Sequence, residues 1–136
     1  CPPVSGQMLP VQAVRMHSTG DSPQSGVITT ESGLRATRYT IDTGAVALRP
    51  GEPEPPKVDF AKQRLAYVVL RQRPNATVPW VVETPTEIVV GVRVDAYCGG
   101  AAPPDGVAAV LLPASSKTVR FATCSVGSCD PSVLAP

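Results

Sequence analysis

The sequence predicts an all-β protein: an antiparallel β-sandwich or small barrel of roughly eight or nine short strands, disulfide-stabilised, with little helix. Three observations carry this. Val, Thr and Ile dominate the apolar runs, as strands prefer, while Leu, Ala and Glu are nowhere arranged at helical spacing for long. Those runs recur at intervals of roughly ten residues, separated by Gly, Pro, Ser, Asn and Asp, which favour reversals. Proline makes up 16 of the 136 residues and clusters in CPP, PGEPEPP and APP, where it excludes helix interiors.

The length fits one domain over residues 1–136, with an extended N-terminal arm at 1–10 and a proline-rich surface loop at 49–57. After the arm, VQAVRMH (11–17) alternates Val11, Ala13 and Arg15 against Gln12, Val14 and Met16. HSTGDSPQSG (17–26) is turn chemistry. GVITTE (26–31) and LRATRYTI (34–41), with Ser32-Gly33 between them, have the spacing of a hairpin. AVALR (45–49) follows a turn at Asp42-Thr43-Gly44. A short helix fits DFAKQR (59–64), capped by Asp59.

The central runs RLAYVVLRQ (64–72), TVPWVVE (77–83) and TEIVVGVRVDAYC (86–98) carry the strongest strand signal. In the last, Ile88, Val90, Val92, Val94, Ala96 and Cys98 share one face, and Val89, Gly91, Arg93, Asp95 and Tyr97 share the other. That alternation predicts a half-buried antiparallel strand with Cys98 on its apolar side. VAAVLLP (107–113) and TVRFATC (118–124) follow the loop GGAAPPDG (99–106).

Charge narrows the function. Twelve Lys and Arg face eleven Asp and Glu, with no basic stripe, so nothing points to nucleic acid. Charged residues are 17% of the chain, a low share that suits a surface covered by partners. No run reaches the ~18 apolar residues of a spanning helix. The only histidine, His17, lies in a polar turn and is the sole candidate base for a Cys–His or Ser–His–Asp set. There is no GxSxG, no GxGxxG, no P-loop and no CxxCH. Asp59 with Glu83 or Glu87 can be drawn as an acid pair, but any β-protein offers such pairs and ordinary surface charge explains them far better. The expectation is a protein that is not an enzyme and takes no cofactor or metal.

The four cysteines, Cys1, Cys98, Cys124 and Cys129, lack CxxC or Cys/His zinc spacing, so structural disulfides in an oxidising compartment are expected. Three connectivities are open. Cys124–Cys129, closing FATCSVGSCD on itself through Gly127, together with Cys1–Cys98, is favoured; Cys98–Cys124 is the rival. A chain opening on Cys1 also resembles a bacterial lipoprotein, whose N-terminal cysteine carries lipid. Only in that reading does the protein meet a membrane, and it leaves an odd number of thiols. Asn75-Ala76-Thr77 is an N-glycosylation sequon. Such sequons also arise by chance, and the Ala, Val, Arg and Pro content has a bacterial look.

The stretch PPKVDFAKQRLAYVVLRQRPNATVPWVV resembles the C-terminal domain of the protease-complex subunit PrcB family. Val58-Asp59-Phe60 matches its proline-led VDF motif and Arg73-Pro74 its turn, although Asn75 to Trp80 replace the glycine-rich part. Pro103 to Gly106 and the following VAAVLLPASSKTVRF are similar to the family's end. The resemblance implies an exported, often lipid-anchored bacterial protein that assists a protease complex, and it brings no active site.

Together these readings predict an extracellular or cell-surface β-domain acting in protein–protein association as an accessory subunit. The alternatives are a subunit that self-assembles into a filament, with the arm or the tail SVLAP adding a strand to a neighbour, and a protease inhibitor presenting RPGEPEPPK or CSVGSC.

Overall fold

The structure is a computed structural model. It describes residues 1–17, 24–37, 40–41, 58–99 and 103–129, with His17, Thr40 and Ile41 described by backbone alone. AVALR, the turn at 42–44, the loop at 49–57 and the tail SVLAP lie outside the described residues.

The three longest apolar runs become the three central strands: β6 (Gln63–Leu70), β9 (Glu87–Asp95) and β10 (Gly106–Pro113). Around them form two sheets. In the first, β1 (Gln7–Leu9), β8 (Val81–Glu83), β9 and β11 (Thr118–Val126) lie in that order, and β7 (Ala76–Thr77) also pairs with β9. In the second the order is β2 (Ala13–Val14), β10, β6 and β4 (Ser25–Ile28). A separate ladder joins β3 (Met16–His17) to β5 (Thr40–Ile41). The sheets face each other without closing, so the protein is a sandwich and not a barrel.

Among the described residues every pairing but one is antiparallel. The exception is the longest: β11 runs parallel to β9 from Thr118 opposite Glu87 to Val126 opposite Asp95. The chain leaves the first sheet after β9, crosses the second as β10, and returns as β11 in the direction it left. An all-antiparallel sandwich is therefore corrected at this one ladder.

Both sheets are buried on both faces, which explains runs such as EIVVGV and VAAVLL. Between the sheets lie Val81, Ile88, Val90, Val92 and Val94 from one side and Ala66, Ala108, Val110 and Leu112 from the other. The outer face of the second sheet buries Leu65, Tyr67, Val69 and Leu111 beneath Leu34, Val58 and Phe60. The outer face of the first buries Trp80, Val82 and Val89 beneath Val4 of the arm. Val89 and Gly91, assigned from alternation to a polar face, are thus inside. Cys98 lies past the end of β9 and is exposed, not on the apolar side.

Other expectations change locally. LRATRYTI does not form the second arm of a hairpin. Residues Glu31–Ala36 are a helix, α1, because the Thr30 hydroxyl accepts from the Gly33 amide at 2.9 Å and caps it. DFAKQR is one turn, not a helix. The Asp59 carboxylate accepts from the Ala61 amide at 3.1 Å, and its carbonyl accepts from the Gln63 amide at 2.8 Å, where β6 begins. VQAVRMH and TVPWVVE each split into two short strands, raising the count above eight or nine to eleven among the described residues.

Candidate functional site

The arm is the first element to resolve. It starts against β11 at one side of the first sheet, crosses the outer face, and ends as β1 paired to β8 on the other. Two glycines permit this. Gly6, at φ +151°, passes so close to β8 that a Cβ there would meet the Glu83 carbonyl at 2.6 Å. Gly91 lies opposite Trp80, and its missing side chain is what lets the indole lie flat: a Cβ would fall 2.7 Å from Cδ2. The indole Nε1 donates to the Cys1 carbonyl at 3.0 Å, tying arm to sheet. The arm therefore serves its own sheet. Giving it to a neighbour would uncover Trp80, Val82 and Val89.

The disulfides follow from this topology, and they correct the favoured pairings. Cys1 bonds Cys124 and Cys98 bonds Cys129, with Cα separations of 5.8 and 5.4 Å; neither Cys124–Cys129, nor Cys1–Cys98, nor Cys98–Cys124 forms. Cys124 sits inside β11, so the chain is still extending away from it at ~3.3 Å per residue when it reaches Val126. Self-closure would require a reversal inside the strand. The parallel register instead sets Asp95 beside Val126, and three further residues on each chain bring Cys98 beside Cys129. No cysteine is free. The Cys1 sulfur cannot carry a thioether lipid while it is bonded to Cys124.

The remaining sequence candidates are dispersed. Glu83 pairs with Lys117 at 3.4 Å and Glu87 with Arg120 at 3.2 Å, while Asp59 holds its turn, so the three carboxylates do not form an acid pair. Among the described residues no three His, Cys, Asp or Glu side chains gather as metal ligands. His17 contributes a backbone ladder to β5. Asn75 and Thr77 of the sequon are both exposed, at the entry to β7. CSVGSC is the end of β11 and its turn through Gly127, at φ +84°. Among the described residues no helix is long and apolar enough to cross a membrane.

What the fold leaves open is a strand edge. Of the two sheets' outer strands, β1 has three residues and adjoins Pro10, β2 and β7 have two each, and β4 has four. β11 has nine and, among the described residues, pairs only with β9. The Val126 carbonyl accepts from the Ala96 amide at 3.0 Å, so Val126 turns its backbone groups toward β9. By alternation Thr118, Arg120, Ala122 and Cys124 do the same, and Val119, Phe121, Thr123 and Ser125 turn theirs outward. Natural edges are commonly guarded by proline, bulges or charge. β11 has no proline, no glycine and a single charged residue, Arg120, whose Nε and Nη2 donate to Glu87. Its two disulfides brace it: Cys124 fixes it beneath the arm and Cys129 fixes its exit.

Sequence reading found the strand but not its position, because an edge strand and a central strand of this composition look alike. The usable signal was TVRFATCSV itself, nine residues with one charge. No family model matches the chain, and no curated protein or solved structure matches it.

Proposed function

We propose that the protein is an exported, non-catalytic β-domain that associates with other polypeptides by accepting an extended strand along β11. The observation that carries this is the nine-residue edge of that strand, which has no strand partner on its outer side among the described residues. Backbone groups at Val119, Phe121, Thr123 and Ser125 supply the affinity, and the flanking side chains supply selectivity. Two disulfides in a chain of this size suit an oxidising compartment. An accessory role also agrees with what the PrcB-like motifs imply.

The test is selection of random extended peptides on the protein, followed by measurement of the same peptides against Thr123→Pro. Proline removes an outward amide without touching the β9 ladder. Selected peptides are expected to lose at least about tenfold in affinity. Peptides that bind the variant as well as the parent would refute association through this edge.

A further inference from the structure

We infer that the strand received by β11 is β11 of a second copy, related by a twofold axis, so that two five-stranded sheets become one continuous sheet across a dimer. This rests on the edge-association reading and names its partner.

Three features of the edge select a copy of itself. The first is length. Among the described residues, no other sheet edge offers more than four residues, whereas β11 matches its own nine. The second is the order of its backbone groups. A twofold axis makes the pair antiparallel. Centred on Ala122, it sets Phe121 beside Thr123 of the second copy and Val119 beside Ser125. These are the four residues whose N–H and C=O groups turn outward, so each pair exchanges two hydrogen bonds.

The third feature is charge. Directly opposed like charges destabilise a strand pair. Centring on Arg120 would oppose two guanidinium groups. Centring on Ala122 sets Arg120 against Cys124 of the second copy, and Glu87 remains at 3.2 Å from each Arg120. The same register completes the packing. Val119 and Phe121 are half-buried, while Thr123 and Ser125 face the same side as the inter-sheet core yet are exposed. Antiparallel pairing lays the apolar half of one strand beside the exposed half of the other. The contact is isologous and uses the longest edge on both copies, so it closes at two and does not propagate as a filament.

The test is sedimentation of the intact, oxidised protein from micromolar to millimolar concentration. The expected result is a reversible dimer of the 14.1 kDa chain. In Thr123→Pro, and separately in Ser125→Pro, the dimer dissociation constant should rise at least about tenfold, because each copy loses an edge donor. Unchanged Trp80 emission certifies the fold of each variant. As an independent measurement, Ala122→Cys should give a disulfide-linked dimer through residue 122, since directly opposed Cβ atoms lie ~4.5–5.5 Å apart. A monomer at every concentration overturns self-pairing. If that monomer still binds peptides in a proline-sensitive way, the edge reading survives with a different partner. A dimer indifferent to both proline variants overturns self-pairing through β11.

Discussion

The first sheet has an outer face and an outer edge, and the chain treats them differently. The face carries Trp80, Val82 and Val89, and the arm covers it until Trp80 is 6% exposed and both valines 0%. The edge, along β11, carries mainly backbone polar groups and, among the described residues, has no strand paired to it. The difference follows from what water does to each. Apolar side chains gain ~25 cal/mol per Å² on leaving water, so covering them stabilises the monomer. Backbone amides and carbonyls are already satisfied by water, so pairing them adds little net stability until a complementary strand arrives. The face is therefore a folding element and the edge an association element.

Breaking the cover has the largest expected effect. The Cys1–Cys124 bond spans 123 residues and Cys98–Cys129 spans 31. On the chain-entropy relation the first contributes about 4.9 kcal/mol and the second about 3.7, a difference of about 1.2. Denaturant unfolding of Cys1→Ser/Cys124→Ser and Cys98→Ser/Cys129→Ser should show that order. Only the first pair should red-shift Trp80 emission, by loosening the arm. An equal shift in both would contradict the covering role.

Gly91→Val comes next. Its side chain enters the space of the indole, and overpacking of this kind costs about 1–3 kcal/mol. A crystal structure should show Trp80 rotated and Val4 displaced. Trp80→Phe keeps most of the apolar cover but removes the donor to the Cys1 carbonyl, for about 1 kcal/mol in thermal unfolding. The edge gives the smallest effect on the monomer. Thr123→Pro should shift stability by no more than about 0.5 kcal/mol while weakening association, and that separation of readouts is the sharpest form of the contrast. A large loss of monomer stability would mean the strand is not an edge.

Residues that bury a continuous apolar surface were legible. RLAYVVLRQ, TEIVVGVRVDAYC and VAAVLLP became β6, β9 and β10 with small shifts of boundary, because strand preference and burial agree there. Long-range choices were not legible. Alternation in residues 86–98 described one buried face, but Val89 and Gly91 are inside because the arm lies over them, and no local pattern reports a distant cover. The parallel return of β11 was hidden for a similar reason: nothing in TVRFATC encodes strand direction. That single omission also misplaced the cysteines, since only the parallel register brings Cys98 to Cys129. At Thr30 the misreading was local. Ser32-Gly33 looks like a turn, and the capping hydroxyl of Thr30 makes it the first turn of α1.

Arg64 shows a subtler gap. It is 6% exposed at the end of the inter-sheet core, donating Nη1 to the Lys117 carbonyl at 2.8 Å and Nε to the Pro113 carbonyl at 3.3 Å. Burial lowers its pKa and Glu83 opposes that. In the sequence it is only the first residue of an apolar run.

The disulfide topology also sets an order of events. Each bond joins an early cysteine to one in the stretch 124–129, so neither can form until that stretch has emerged from a translocating or synthesising channel. Until then, of these four cysteines, only Cys1 and Cys98 are outside, and each is available to the other. The Cys1–Cys98 bond suggested by spacing is thus the one the growing chain meets first. From it, attack of the Cys124 thiolate on the Cys1 sulfur forms the first native bond and releases the Cys98 thiol, and Cys98 then joins Cys129 when an oxidant of the compartment takes up the two electrons. Maturation of this protein should accordingly be timed by its last strand and hastened by a disulfide isomerase.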